Sequence, residues 1–213
     1  MKFWKLCVLA AALALALAAV ASASEEDPPG CDPEAVECVV QNDGTDEGDT
    51  LEYGEGDDWV EAGEGDDEIE MGEGDDTVHA GPGDDDVDLG GGSDLGYLEG
   101  GDDTGWGSAG DDDVGGGMGS DDMFGNGGDD HLAGGGGPDD IAGGRGNDDV
   151  RGNDGADHLN GGPDHDLILG GAGNDVVFAA DGMSDKVNCG AGFDHAVVDR
   201  GDRVYFCEVV SYR

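Results

Sequence analysis

The chain has 213 residues, of which 53 are acidic and 8 are basic, so its formal net charge at pH 7 is −45. A charge of this size and sign excludes nucleic acid and anionic membranes as electrostatic partners and favours cations. With 45 glycines and sparse apolar residues, the composition by itself predicts a disordered chain in the absence of cations.

The N-terminus has the three parts of a secretory signal peptide. Lys2 and Lys5 precede an apolar run from Leu6 to Val20, and Ala21-Ser22-Ala23 follows as a cleavage signal of small residues. The run is too short for a transmembrane anchor, and acidic sequence follows it at once. We therefore predict a signal peptide over 1–23, Sec-type export, an extracellular location and no membrane anchor. Residues 24–44 are predicted to form an N-terminal cap or flexible segment.

A nine-residue period dominates the rest of the chain. Fifteen aspartates keep this spacing without an insertion or a deletion. A glycine lies two residues before each, except at Glu47 and Asp164, and an apolar residue lies two residues after each, except at Gly96 and Gly105. The aspartates are Asp49, Asp58, Asp67, Asp76, Asp85, Asp94, Asp103, Asp112, Asp121, Asp130, Asp139, Asp148, Asp157, Asp166 and Asp175.

One unit of this period cannot bury its single apolar side chain alone, so it must stack on copies of itself. The glycine-rich half favours a turn, and the half centred on the apolar residue favours a short strand with that side chain inward. Successive turns would place successive strands on opposite faces of a flattened coil. One coil would then take two repeats.

The unit, G-G-x-G-x-D-x-U-x with U large and apolar, resembles the haemolysin-type (RTX) calcium-binding repeat over about residues 45 to 196. The resemblance implies an all-β fold, a right-handed parallel β-roll of about 15 nonapeptide repeats. Such a roll would have about 7.5 coils and a length of about 36 Å at the usual distance between strands.

Coiling would stack aspartates that are two repeats apart, such as Asp58 and Asp76. Stacked carboxylates repel each other unless a divalent cation lies between them, and calcium accepts six to eight oxygen ligands there. Magnesium fits poorly because it requires a small octahedron and retains its water. The resemblance implies that all fifteen aspartates, with carbonyl oxygens of the glycine turns, bind Ca²⁺ in at most about 13 gaps.

Many repeats carry a second aspartate just before the first. This residue is either a further calcium ligand or a solvated charge at the edge of the turn. The residues are Asp57, Asp66, Asp75, Asp84, Asp102, Asp111 and Asp129.

Two inner positions are empty because Gly96 and Gly105 stand there. Trp106 and Phe124 are two repeats apart and would stack on the outer face if the repeat frame holds. A local slip of register that turns Leu98 or Trp106 inward is the alternative. Asp164 replaces a turn glycine and is expected to be strained.

The period changes near the C-terminus. Residues 181–185 contain a one-residue insertion, after which Asp185 and Asp194 resume the pattern as weaker ligand candidates. Strands near 167–169 and 176–178 are apolar on both faces and should be covered on both. Residues 197–213 are predicted to supply this cover, a final strand and the C-terminal cap.

Four cysteines lie outside the predicted signal peptide, in two pairs that flank the repeats. An even number favours disulfides in an oxidising compartment. The pairs Cys31–Cys38 and Cys189–Cys207 are favoured because the other pairings would join opposite ends of a long solenoid; zinc binding is the alternative.

The sequence lacks H-E-x-x-H, and the segment from Trp106 to Gly110 fails G-x-S-x-G at its first position. We therefore predict a secreted calcium-binding repeat protein that folds on binding calcium and is not an enzyme. The alternative is an extracellular adhesive or matrix protein that uses the roll as a scaffold.

Overall fold

A computed structural model of the chain describes residues 40–41 and 44–213 and contains twenty strands and no helix within them. The signal peptide and the Cys31–Cys38 pair lie outside the described residues. No helix in the described part of the chain could cross a membrane.

The strands alternate between two ten-stranded sheets in which every pair of neighbours is parallel. The first sheet contains β1 Val40–Gln41, β3 Trp59–Glu61, β5 Thr77–Pro82, β7 Leu95–Gly100, β9 Asp113–Met118, β11 His131–Gly136, β13 Asp149–Asp154, β15 Leu167–Ala172, β17 Lys186–Ala191 and β19 Arg203–Tyr205. The second contains β2 Thr50–Glu52, β4 Glu68–Glu70, β6 Asp86–Asp88, β8 Thr104–Ala109, β10 Asp122–Gly127, β12 Asp140–Arg145, β14 His158–Asn160, β16 Val176–Ala179, β18 His195–Val198 and β20 Val209–Tyr212.

The register confirms a coil of two repeats. Val60 pairs with Val78, and Met123 pairs with Ile141, so equivalent residues of every second repeat stack on each other. The expected 7.5 coils were too few, because the strands from β17 to β20 and the strand β1 extend the roll beyond the fifteen regular repeats. Ten stacked strands in each sheet span roughly 43 Å at about 4.8 Å per step.

The core has two inner positions in each repeat, and the sequence predicted only one. The predicted position, two residues after each phased aspartate, is buried in each regular coil from Val60 to Val177. The second position lies four residues after the aspartate, because many strands are six residues long and alternate in burial along their length. It holds Ala62, Met71, Ala80, Leu89 and Leu98 in the early coils and glycine in the coils from Gly107 to Gly170.

Leucines at the second inner position fill the space that Gly96 and Gly105 leave. A Cβ atom on Gly96 would lie 3.2 Å from Leu89 Cδ1, and one on Gly105 would lie 3.0 Å from Leu98 Cδ1. No register slip occurs, since Gly105 pairs in frame with Met123. The regular repeat frame is therefore kept, and Leu98 is fully buried without a change of register.

The same frame leaves Trp106 and Phe124 on the outer face of the second sheet. Their ring centroids lie 6.1 Å apart at an interplanar angle of 13°, which confirms the stacked pair.

We expect Leu98→Ala to lower the free energy of unfolding in saturating calcium by about 2–5 kcal/mol, because it opens a cavity beside Gly105. Guanidinium denaturation measures the loss. The double variant L98A/G105V should recover part of it, since valine restores apolar volume to the same space. No recovery in the double variant would contradict the compensation between these two positions.

The C-terminal residues complete the roll as a last coil. They form two strands, β19 and β20, where one was expected. The predicted disulfide Cys189–Cys207 is present, with Cα atoms 5.2 Å apart. The expected cover of the outer face is wrong for Phe178, which remains 42% exposed beside Val197. Asp164 has a backbone φ of 98°, as expected for a residue that replaces a turn glycine.

Candidate metal centre

The phased aspartates form two rows along the roll, one before the strands of each sheet. The first row runs from Asp58 to Asp166 and continues to Asp185. The second runs from Asp49 to Asp175 and continues to Asp194. All members are buried except Asp49, which is half-buried.

Each row is held by hydrogen bonds between adjacent coils. The Asp103 N–H donates to Asp121 Oδ1 at 3.0 Å, and the Asp121 N–H donates to Asp139 Oδ1 at 3.0 Å. The same bond recurs along both rows, at 2.7 Å from Asp58 and 3.1 Å from Asp157. From Asp67 onward, one oxygen of each carboxylate is therefore fixed by the neighbouring coil.

The other oxygen, Oδ2, is buried and has no hydrogen-bond partner along almost the whole length of both rows. A buried carboxylate oxygen without a partner is costly unless a proton or a cation compensates it. The oxygens are Oδ2 of Asp67, Asp76, Asp85, Asp94, Asp103, Asp112, Asp121, Asp130, Asp139, Asp148, Asp157, Asp166, Asp175, Asp185 and Asp194.

From Gly107 onward these oxygens lie so close to the Cα atom of a glycine that a methyl group there would collide with them. A Cβ atom placed on Gly116 would overlap Asp121 Oδ2 and would lie 2.7 Å from the carbonyl oxygen of Gly134. The same arrangement occurs at Gly107, where the Cβ would lie 2.5 Å from Asp112 Oδ2 and 3.0 Å from the carbonyl oxygen of Gly125. A carboxylate and a carbonyl oxygen thus converge beside a bare Cα, which suits a hard cation.

The early coils differ because a side chain stands where this glycine would be. Ala62, Met71, Ala80, Leu89 and Leu98 precede Asp67, Asp76, Asp85, Asp94 and Asp103 by five residues each. The early half of the roll therefore has a larger apolar core, and the later half has the oxygen-lined spaces.

The donor set is consistent with calcium. Within residues 40–41 and 44–213, no three His, Cys, Asp or Glu side chains converge on one point. Two carboxylates from adjacent coils would supply part of the shell, and backbone carbonyls or water would supply the rest, as calcium accepts.

Both rows end in carboxylates that the protein itself satisfies. Asp49 Oδ2 accepts hydrogen bonds from the Thr45 N–H at 2.8 Å and the Thr45 hydroxyl at 3.0 Å. Asp202, one coil beyond Asp185, accepts the Asp185 N–H at Oδ1 and the Asp199 N–H at Oδ2, at 3.0 and 2.6 Å. These end positions therefore close the rows by hydrogen bonding, and Asp49 differs in this respect from the predicted ligands from Asp67 to Asp175.

Asp185 and Asp194, which the sequence predicts as weaker ligand candidates, lie in the rows like the other aspartates. Asp166 donates its N–H to Asp185 Oδ1, and Asp175 donates its N–H to Asp194 Oδ1, each across 19 residues. The insertion is absorbed in the turn at 181–184 and does not disturb the stacking.

The second aspartates of the turns are exposed and serve a different hydrogen bond. Asp57 Oδ1 accepts the Asp75 N–H at 3.0 Å, and Asp129 Oδ1 accepts the Asn147 N–H at 2.7 Å. The bond runs in the opposite direction along the roll from that of the buried rows. Pro138 has no N–H to donate. The residue two repeats before it is Ser120 and not an aspartate, so no bond of this kind is required there. The exposed position favours the interpretation as a solvated charge.

Comparison with known families agrees with this geometry. The model of the RTX calcium-binding nonapeptide repeat matches residues 43–72, 72–95, 97–132, 115–150 and 151–182. The chain belongs to this family. No curated protein matches the chain significantly. RTX membership supports a calcium-binding repeat protein with a parallel β-solenoid fold. The matched residues end at 182, before Asp185.

Burial changes the acidity of the buried rows. Desolvation raises the pKa of Asp94, Asp103, Asp139 and Asp166 to about 7, although the backbone N–H bonded to each carboxylate lowers it. Neighbouring carboxylates of the row raise it further. The same causes raise the pKa to about 6 at Asp76, Asp85, Asp112, Asp148, Asp175 and Asp185.

These shifts predict opposite pH dependences with and without calcium. The pKa values of the folded, calcium-free chain lie above the unfolded value of 3.8, so the folded state binds more protons. Its stability should be greatest below about pH 4 and should fall as pH rises through 6 to 7. In calcium the dependence should reverse, because protons compete with the ion. Circular dichroism between pH 4 and 8, in calcium-stripped buffer and in calcium, measures both; the same slope in both buffers would contradict the prediction.

Proposed function

We propose that this protein is an extracellular calcium-binding protein whose β-roll folds when calcium fills the two aspartate rows. One observation carries the proposal: fifteen buried Oδ2 atoms have no hydrogen-bond partner. Each stands in a row of like charges that only protons or cations can neutralise.

The mechanism is thermodynamic linkage. Calcium binds between coils that exist only in the folded chain, so it stabilises that state by mass action. The net charge of −45 opposes compaction without cations. Low calcium inside the cell would keep the chain unfolded for export, and external calcium would fold it. Export itself rests on the predicted signal peptide at residues 1–23.

The two oxygens of each buried aspartate have different roles in the proposed site. Oδ1 of each buried aspartate from Asp67 onward positions its carboxylate by accepting an N–H of the previous coil, as Asp121 does from Asp103. Oδ2 and the glycine carbonyl oxygens would bind the ion, which supplies the positive charge that joins adjacent coils. All fifteen phased aspartates are proposed ligands. Those from Asp112 onward lie beside glycines, whereas Asp67 to Asp103 lie beside the side chains of Ala62 to Leu98 and should bind more weakly. Asp49 is the weakest because Thr45 already occupies its Oδ2.

Far-UV circular dichroism of the mature chain, titrated with calcium from chelator to about 10 mM, tests the proposal. We expect a cooperative change from coil to β-sheet that magnesium does not reproduce, because magnesium retains its water. A β-sheet spectrum already present in chelator would mean that the apolar core folds the roll and that calcium is secondary. A coil spectrum throughout would reject the proposal.

A second candidate is an adhesive or matrix protein with the roll as its scaffold. The stacked Trp106 and Phe124 rings favour it, because paired aromatic rings on an outer face supply contact area. Against it, the outward ladder around them runs from Asp88 through Trp106 and Phe124 to Ala142 without repetition. Binding of the calcium-loaded protein to a glycan array, lost in W106A/F124A with calcium binding intact, would favour adhesion. We propose no catalytic role.

A further inference from the structure

The disulfide and the second aspartate row meet at Cys189. This residue lies in β17 and is fully buried, with its sulfur bonded to Cys207. Its carbonyl oxygen and Asp175 Oδ2 both lie where a Cβ atom on Gly170 would stand, the latter at 2.5 Å. The carbonyl oxygen of Cys189 thus lies beside Asp175 Oδ2 in the second aspartate row.

The regular coils contain the same pair of oxygens beside a glycine. Gly134 supplies the equivalent carbonyl opposite Asp121 Oδ2, and it precedes Asp139 by five residues, as Cys189 precedes Asp194. Cys189 therefore takes the place of a glycine in the row. It keeps the carbonyl oxygen and adds a side chain that anchors the strand to the last coil.

Asp194 completes the arrangement. It is 0% exposed, its Oδ2 has no hydrogen-bond partner, and its Oδ1 accepts the Asp175 N–H at 2.9 Å. From the other side, its N–H donates to Glu208 Oε2 at 2.9 Å, and Glu208 directly follows Cys207. The disulfide thus fixes both the carbonyl of Cys189 and the acceptor that holds Asp194.

We propose that a calcium site between Asp175 and Asp194, completed by the Cys189 carbonyl oxygen, is coupled to the Cys189–Cys207 disulfide, so that each stabilises the other. Of the residues that form the site, Asp175 lies within the family match, which ends at residue 182, and Cys189 and Asp194 lie beyond it. The proposal rests on the proposed function. Coupling between two equilibria is reciprocal, so calcium should protect the disulfide as much as the disulfide strengthens calcium binding.

The rate of reduction by a dithiol measures this coupling. A thiolate of the reagent attacks one sulfur, the S–S bond breaks, and the electron pair leaves on the other cysteine; ring closure then yields the oxidised reagent and two protein thiols. In the wild-type chain we expect calcium to slow reduction at least tenfold. Asp194→Asn should lose most of this protection. The matched control Asp121→Asn, which changes the same row far from the disulfide, should keep it.

The complementary experiment removes the disulfide. C189S/C207S should bind one calcium ion fewer than the wild type by equilibrium dialysis, with reduced calcium-dependent amide protection confined to residues 186–212. If that variant does not fold, the reduction rates of D194N and D121N, whose disulfides are intact, decide the question.

The outcomes distinguish a failure of the proposed function from a failure of the coupling alone. A wild-type chain that binds no calcium would overturn the proposed function and this inference with it. Calcium binding with equal protection in D194N and D121N would overturn the inference alone.

Discussion

Gly116→Ala should remove one calcium ion and lower the free energy of unfolding of the calcium-loaded protein by about 3 kcal/mol. The new methyl group would overlap Asp121 Oδ2 and lie 2.7 Å from the carbonyl oxygen of Gly134. Neither atom can retreat easily, because the first belongs to a buried carboxylate held by Asp103 and the second to the backbone of β11. The substitution thus displaces two oxygens that are proposed to bind the ion.

The neighbouring residue supplies a matched control. Gly115 lies in the same strand, and a Cβ atom placed there would meet nothing within 4 Å. Neither glycine is among those with positive φ, so alanine is sterically permitted at both as far as the local backbone is concerned. Gly115→Ala should change stability by less than about 0.5 kcal/mol and leave the calcium count unchanged. Equal effects of G115A and G116A, by guanidinium denaturation and equilibrium dialysis in calcium, would contradict the assignment of this space.

Asp121→Asn should have opposite effects on the two states of the protein. In calcium it weakens the sites on both sides of Asp121. Each site lost costs about 2.7 kcal/mol of stability when free calcium is a hundredfold above the Kd. Without calcium it should stabilise the fold, because burial raises the pKa of Asp121 and the amide removes the charge that burial disfavours. Asparagine still offers an oxygen to the Asp103 N–H.

Asp122→Asn is the matched control, since Asp122 is the next residue along the chain and its side chain is exposed. It removes the same charge without touching the row, and we expect a small effect in either state. Guanidinium denaturation in calcium checks the first sign for D121N and D122N. In calcium-stripped buffer, the pH at which each variant loses its β-sheet circular dichroism signal as pH rises from 4 checks the second, and it should be higher for D121N. A loss of stability for D121N in both buffers would show that Asp121 acts through packing and hydrogen bonding alone.

The spacing of the aspartates is enough to predict the coil. A strict nine-residue period with one apolar position in each unit allows few arrangements that bury every unit, and the stacking of Asp58 on Asp76 follows from it. The insertion near 181–185 is also visible in the sequence, because the apolar and acidic positions resume in step after it.

The second inner position was missed for a physical reason. The glycine four residues after each aspartate from Asp103 to Asp166 is typical of a turn in the sequence, yet in the structure it lies inside strands such as β9. The available signal was the replacement of this glycine by Ala62, Met71 and Leu98 in the early repeats, all of which are buried. Apolar residues at that position in several repeats indicate a core position that later repeats leave open.

The ends of the rows could not be predicted from periodicity. Asp202 follows Asp185 by 17 residues and Glu208 follows Asp194 by 14, so neither is in phase. They take the place of phased aspartates because the turns before β19 and β20 differ in length, and only the three-dimensional register reveals it. Thr45, which satisfies Asp49 Oδ2, lies in the first repeat, where Glu47 replaces the turn glycine. Its role therefore also does not follow from the period.

The most direct test of the central claim is a crystal structure of the calcium-loaded protein with anomalous difference density measured for calcium. We predict two lines of peaks, one along each aspartate row. Each peak should lie within about 2.3–2.6 Å of Oδ2 atoms of buried aspartates, together with backbone carbonyl oxygens. Peaks confined to the exposed aspartates such as Asp57 and Asp129, or no peaks between the coils, would contradict the account.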